Sequence, residues 1–222
     1  SIALSEASRL LREESLVTGT NVRSIERRVL FRNDSYRVVI SDESAKVNLP
    51  LVRLALGTEA AERIMGELSS TLLRSNKRVS DPNLLLGKRW EDWFDLDSLG
   101  SRVSVEDLAR GTNQLTLWGR EKLNLARCSP QAIDALWREL LSRPAPEELL
   151  EVPSEFPTPA ISAVLARLSL RESELNAVEP WLTTESESVS VWVFPSTNSQ
   201  GGCEFTVKWG AGRAKSQRSY SY

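Results

Sequence analysis

The densest group of acidic side chains in the sequence lies beside Trp90 and consists of Glu91, Asp92, Asp95 and Asp97. Hard cations such as Ca²⁺ bind several carboxylate oxygens, so Asp92, Asp95 and Asp97 are candidate calcium ligands. The group lacks the glycine-containing loop of an EF-hand. A helix with Glu91 and Asp95 on one solvated face explains the same residues. The sequence therefore leaves two interpretations, a calcium site and a solvated helical face.

Nucleophilic and metal-assisted chemistry find little support in the rest of the chain. Histidine is absent, which excludes a Ser-His-Asp catalytic triad or a Cys-His catalytic dyad built from this chain alone. The two cysteines, Cys128 and Cys203, fit no short metal-ligand spacing; they are either two buried thiols or a disulfide. No glycine-rich phosphate loop of the P-loop type is present. The sequence therefore predicts a protein that is not an enzyme.

The composition is that of a folded globular chain. Of 222 residues, 41% are hydrophobic and 26% are charged, and the formal net charge is -2. No run of lysine and arginine is longer than two residues, so no nucleic-acid partner is expected. No apolar stretch approaches the roughly 20 residues that span a bilayer.

The positions of the apolar residues indicate an α+β fold. Residues 2–15 read as an amphipathic helix, which resembles the end of a longer helix because nothing caps its start. Residues 25–32 and 35–41 alternate as two strands, and residues 189–209 as a hairpin. Helical stripes fill the region between these strands. We expect an N-terminal helix and an antiparallel sheet with a large α-helical insertion.

Five parts of the chain follow from this pattern. They are the N-terminal helix with the first strands (1–49), the first part of the insertion (50–113), short returning strands (114–128), a helical bundle (129–187), and C-terminal β-hairpin and strands (188–222).

One local motif occurs twice. Lys46-Val47-Asn48-Leu49 returns as Lys122-Leu123-Asn124-Leu125, and each copy leads into a helical pattern. An asparagine amide hydrogen-bonds nearby backbone and can direct the chain into a helix. We therefore interpret Asn48 and Asn124 as structural residues.

Two longer segments around these motifs, 36–49 and 115–129, resemble the corresponding strand-and-asparagine segments of K-type minor pseudopilins, the general secretion pathway protein K family of bacterial type II secretion systems. The helices of residues 130–182 take the place of the family's helical bundle, and residues 188–209 that of its closing hairpin. Ala45 stands where the family usually has glycine. The resemblance implies a pilin-like fold and identifies the chain as the soluble periplasmic region of such a protein.

The resemblance also implies a function without catalysis. K-type subunits cap the pseudopilus and associate with I-type and J-type minor pseudopilins at the periplasmic face of the inner membrane, so we expect protein secretion as the role. A hydrophobic membrane helix is expected upstream of this chain. Some members of the family bind calcium, which bears on the acidic group. The residues expected to bind partners, or else to pack within this chain, are Ile2, Leu4, Leu10 and Leu11.

Two other functions are consistent with parts of the pattern. One is a cell-envelope adhesin or pilus-tip subunit outside type II secretion. The other is a nucleic-acid module of the helix-hairpin-helix kind, built from the helices of residues 130–182. Such a module needs backbone amides that face phosphates, whereas these connections contain Pro144, Pro146, Pro157 and Pro159 and no glycine.

Overall fold

The computed structural model describes residues 4–31, 34–68, 114–116, 122–186, 188–195, 204–210 and 216–221. The strands in this part of the chain are β1 (Ser24–Phe31), β2 (Asp34–Asp42), β3 (Val47–Asn48), β4 (Leu115–Thr116), β5 (Leu123–Asn124), β6 (Leu182–Thr183), β7 (Val189–Pro195), β8 (Glu204–Gly210) and β9 (Ser216–Ser221). The helices are α1 (Leu4–Thr18), α2 (Leu49–Leu56), α3 (Thr58–Leu68), α4 (Pro130–Leu141), α5 (Glu147–Leu150), α6 (Ile161–Arg167) and α7 (Glu172–Val178).

Five strands form an antiparallel sheet in the order β1-β2-β7-β8-β9. The chain leaves this sheet after β2 and returns to it at β7, and the helices α2–α7 lie in the segment between. We call these helices the helical part. The predicted α+β fold, an antiparallel sheet with a helical insertion, is therefore confirmed.

Helix α1 covers one face of the sheet. Leu11 is completely buried against Ile25 and Ile40 of the first two strands and Val191 of β7. Successive side chains of a strand point to opposite faces, which is why alternate residues of β1, β2 and β7 form this apolar layer. The Ser15 hydroxyl, which donates to the Leu11 carbonyl, accepts from the Val22 amide at 3.0 Å. It thereby fixes the turn from α1 into β1.

The helical part is built around α4. Ser129 caps this helix by accepting from the Ala132 amide at 3.1 Å, and Pro130 occupies its first turn. Trp137 is completely buried in the centre of the apolar cluster, with Ile64 of α3 and Val178 of α7 in the same cluster. The helical part thus has an apolar core of its own.

The helical part contacts the face of the sheet opposite α1. Val39 and Trp192 are partners in adjacent strands, and both point away from the Leu11 layer. Trp192 is buried in the cluster of the helical part, and Val39 packs against it. The sheet is therefore covered by α1 on one face and, at its Asp42 end, by the helical part on the other.

Two short parallel strand pairs hold the ends of the insertion together. Val47 and Asn48 pair with Leu115 and Thr116, and Leu123 and Asn124 pair with Leu182 and Thr183. The chain therefore makes two consecutive excursions. The first excursion (residues 49–114) returns to β3, and the second excursion (residues 125–181) returns to β5.

Most elements lie where the sequence predicts them, and the helices expected within residues 130–182 correspond to α4, α6 and α7. The short helix α5 and the longer helix α2 were not predicted. The start of α2 at Asn48 and Pro50 has the residues of a normal capped helix. Its apolar residues lack a clear period because the helix is hydrophobic around most of its circumference.

Candidate functional site

A group of mostly buried polar side chains lies where the helical part meets the sheet. We call it the polar joint; it consists of Asp42, Glu43, Ser44, Lys46, Asn124, Arg127, Ser186, Ser188 and Ser190. Asp42 has 0% of its surface exposed and Lys46 only 3%. Charged residues are rarely buried to this degree unless they are paired. The contacts within the joint therefore determine what it can do.

Asp42, the last residue of β2, is the centre of the first half of the joint. Its Oδ1 accepts from the Ser44 amide at 3.0 Å, which caps the short 3₁₀ turn of residues 43–45. Its Oδ2 accepts from the Ser186 hydroxyl and from Arg127 Nη1, the latter at 3.4 Å. Arg127 lies at the start of the second excursion and Ser186 follows its end, so this carboxyl connects the sheet to the helical part.

Asn124 completes this half of the joint. Its Nδ2 donates to the Ser186 hydroxyl at 3.0 Å, and its Oδ1 accepts from the Ala126 amide at 3.0 Å. Ser186 thus bridges Asp42 and Asn124. The second bond closes a turn of the Asx type after β5, so one side chain both shapes its own segment and joins the loop before β7.

Glu43 is the centre of the second half. Its Oε1 accepts from Lys46 Nζ at 2.5 Å and from the Ser190 hydroxyl, which in turn accepts from Trp192 Nε1 at 2.9 Å. Its Oε2 has no hydrogen-bond partner in the described part of the chain. Glu43 and Lys46 are both buried, so loss of either charge would leave the other charge unpaired in an apolar environment.

Opposing effects act on the ionisation of the Asp42 carboxyl in the joint. Burial raises the pKa of Asp42, while the hydrogen bond from Ser186 and the charge of Arg127 act to lower it. The carboxyl groups of Asp42 and Glu43 both accept hydrogen bonds from other residues of this chain. Among the described residues, no group of three or more histidine, cysteine, aspartate or glutamate side chains could hold a metal ion.

Of the two asparagines predicted to be structural, Asn124 belongs to the joint, and Asn48 has the corresponding position in the other parallel pair. Asn48 accepts from the Leu51 amide at 3.0 Å and caps α2. Sequence reasoning missed Asp42, Glu43, Lys46, Arg127 and Ser186 as site residues. The polar run Ser41–Lys46 resembles an exposed loop, and only its place in the 36–49 segment distinguished it.

The four residues expected to bind partners have different positions. Ile2 lies outside the described residues, and Leu4 is the first residue of α1. Leu10 packs against the layer under α1, and Leu11 is completely buried there, so its side chain serves the core of this chain. Within residues 9–18, the part of α1 whose side chains the structure describes, the large apolar side chains that are mostly exposed are Leu16, at 65%, and Val17, at 84%.

The remaining candidate residues are only partly described. The calcium candidates Asp92, Asp95 and Asp97 lie outside the described residues, and calcium binding stays a prediction. Cys128 is a buried thiol. Cys203 lies outside the described residues, so the disulfide between the two cysteines stays a prediction. Burial raises the pKa of the Cys128 thiol, which makes it a poor nucleophile.

The described helices include none with the length and apolar character needed to cross a membrane. No family model matches the chain. No curated protein matches it either.

Among solved structures, the chain is similar to a chain of the GspK-GspI-GspJ complex from the type 2 secretion system of enterotoxigenic Escherichia coli. The similarity covers 97% of this chain and 94% of that chain, at 12% sequence identity and a TM-score of 0.47. At this identity the likeness concerns the fold.

Proposed function

We propose that this chain is the periplasmic region of a K-type minor pseudopilin, which assembles with I-type and J-type minor pseudopilins at the tip of a type II secretion pseudopilus. It acts there in protein secretion across the outer membrane and carries out no catalysis. A helix that precedes this region would hold it in the inner membrane.

One arrangement supports this proposal most directly. The two segments that resemble the K-type family, 36–49 and 115–129, meet at the polar joint although they are far apart in the sequence. Asp42 comes from the first segment and Arg127 from the second, and their side chains contact each other. The segments therefore form one structural unit at the base of a helical insertion, as the resemblance implies.

The shape of the molecule is consistent with a subunit at the end of a fibre. Helix α1 packs on one face of the sheet and leaves Leu16 and Val17 exposed. The helical part occupies the opposite face and adds bulk at the Asp42 end of the sheet. We place the contact with partner pseudopilins on α1, which includes the candidates Leu4 and Leu10.

Co-purification tests the assembly. The chain is mixed with the I-type and J-type minor pseudopilins of its source organism, and size-exclusion chromatography with light scattering measures the mass of the eluted species. We expect a stable complex with one copy of each subunit. The proposal is wrong if the three proteins elute separately, and capture of an unrelated envelope protein would instead favour an adhesin.

A matched pair of variants tests the surface. The double variant Leu16→Ser/Val17→Ser should weaken the complex, whereas Leu54→Ser, which removes an 83% exposed leucine from α2, should not. All three side chains are largely exposed, so the free energy of unfolding should change by only about 0.5 kcal/mol. Equal affinity for the α1 double variant and the wild type would remove α1 as the contact surface.

A further inference from the structure

Strand β1 is one edge of the five-stranded sheet, and its outer side pairs with no strand in the described part of the chain. The Asp42 amide donates to the Arg23 carbonyl at 3.0 Å, so residue 23 and every second residue after it direct their backbone groups towards β2. The residues whose amides and carbonyls face outwards are therefore Ser24, Glu26, Arg28 and Leu30. All four are exposed, and such an edge is a template for pairing with another chain.

The side chains of these outward-facing residues lie on the sheet face opposite α1, and the two charged ones have opposite signs. Glu26 is directly opposite Val39 of β2, and Arg28 is directly opposite Arg37. Like charges at opposite positions destabilise a strand pair. An acidic side chain on the outer side of Arg28 would therefore be favourable.

We propose that β1 pairs with β1 of a second copy of this chain, antiparallel about a two-fold axis at Arg27. Glu26 of each copy is then opposite Arg28 of the other copy, and Ser24 is opposite Leu30. Each of these pairs joins two outward-facing residues, which is what the hydrogen bonds of an antiparallel ladder require. This inference does not depend on the proposed function.

The charges favour this register over its neighbours. Outward-facing residues must meet each other, so one strand can shift against the other only by two residues at a time. The two adjacent registers place Glu26 opposite Glu26 or Arg28 opposite Arg28, which is repulsive. Charged side chains at a sheet edge commonly prevent pairing, but in the proposed register the two-fold axis makes the same charges complementary twice.

The α1 face of the edge is also compatible with this pairing. Val29, which is 39% exposed, is opposite Ile25 of the second copy, so the apolar layers under the two α1 helices become continuous. Arg27 of each copy meets its equivalent at the axis. Glu14 of α1 forms an ion pair with Arg27, which reduces the repulsion between the two guanidinium groups.

The bulky part of the molecule does not lie over the two-fold axis. The helical part covers the sheet at its Asp42 end, and Ser24 at the start of β1 lies beside Ser41 at that end. Because the paired strands run in opposite directions, the two helical parts lie at opposite ends of the joined sheets. The exposed residues Leu16 and Val17 are on α1 and not on this edge.

Sedimentation equilibrium of the whole chain over a range of concentrations tests for the dimer. We expect a reversible equilibrium of monomer and dimer, since one pair of edge strands buries less surface than a permanent dimer. Glu26→Arg places arginines opposite each other in both symmetric pairs and should weaken the dimer about tenfold. The control Glu148→Arg makes the same charge change at an exposed residue of α5 and should have no effect. A chain that is monomeric at every concentration, or equal dissociation constants for the two variants, would overturn the proposal.

Two charge variants in one solution test whether the strands pair with each other. Arg28→Glu alone should weaken the dimer as Glu26→Arg does. An equal mixture of the two variants should associate again, because every pair between positions 26 and 28 then joins an arginine to a glutamate. A mixture that stays monomeric would refute the pairing.

Introduced cysteines test the register. Arg27→Cys brings two thiols together at the axis, where opposite Cα atoms are about 4.5 Å apart and a disulfide can form. In the control Arg28→Cys the two thiols are offset along the strands, and their Cα atoms are more than about 7 Å apart, too far for a disulfide. Both variants also carry Cys203→Ser, which leaves only the buried Cys128 as a further thiol. Oxidation should cross-link Arg27→Cys, and equal or greater cross-linking of Arg28→Cys would show that the register is wrong.

Discussion

The two Lys-φ-Asn-Leu segments, where φ is Val47 or Leu123, begin from nearly the same sequence and end in different surroundings. Each pairs in parallel with a Leu-Thr dipeptide that ends its own excursion. In the first segment, Lys46 is buried against Glu43. In the second, Lys122 is partly exposed and donates to the Glu179 carbonyl at 3.2 Å. The backbone pairing is common to both segments, whereas the role of the lysine depends on what packs against it.

The asparagines differ in a similar way. Asn48 accepts from the amide three residues ahead and starts a helix directly. Asn124 accepts from the amide two residues ahead, closes a turn, and leaves the helix start to Ser129. The same side chain thus serves as a helix cap in one copy and as part of the polar joint in the other. The comparison shows that identity over a short motif predicts the local backbone conformation better than it predicts how each side chain contributes to stability.

The largest expected difference is between the two lysines. Lys46→Met would leave the buried Glu43 without its positive partner, and breaking such a pair costs about 3–5 kcal/mol. Lys122→Met loses one hydrogen bond near the surface and should cost less than about 1.5 kcal/mol. Urea denaturation of the two variants measures both values. Adding Glu43→Gln to Lys46→Met should recover part of the loss, and equal costs for the two lysines would contradict the comparison.

A smaller effect is expected at Asn124. The change Asn124→Ala removes the bonds to the Ala126 amide and the Ser186 hydroxyl inside a buried site, for a loss of about 2 kcal/mol in the free energy of unfolding. Asn176→Ala is the control, since this exposed asparagine lies within α7 and alanine favours helices. Thermal unfolding followed by circular dichroism compares them. A loss no greater than that of the control would show that the bridge through Ser186 adds no stability.

The smallest effect is expected at Asn48. Replacing a helix cap by alanine costs about 1 kcal/mol, so Asn48→Ala should destabilise the chain by about that amount. Asn48→Ser keeps a side-chain acceptor for the Leu51 amide and should recover most of the loss. Chemical denaturation provides the measurement. If serine and alanine were equivalent here, capping would not be the main contribution of Asn48.

The sequence predicts those features that depend on neighbouring residues. Helix α4 could be located because Ser129 and Pro130 mark its start and Ile133, Leu136 and Trp137 form one stripe. The hairpin of β7 and β8 follows from strict alternation. The parallel pairs could not be predicted, because each has only two residues per strand and its partner lies a whole excursion away.

The polar joint was beyond prediction for a different reason. Nothing within Ser41–Lys46 distinguishes a buried polar run from an exposed loop; burial follows from the packing of β5, β7 and the loop around Ser186 against it. The same holds for Leu11, whose helical face was correctly identified. Whether that face packs on this chain or on another protein depends on the sheet beneath it.

The parallel pairs at the bases of the two excursions have a consequence for how this chain can change over evolutionary time. Because the entry and exit of each excursion are adjacent, residues can be inserted or deleted between them without displacing the strands on either side. The entropy of closing a loop grows only slowly with its length, so such changes carry a small thermodynamic penalty. Related chains can therefore be expected to vary most in size within residues 49–114 and 125–181, while the framework that carries them keeps its dimensions.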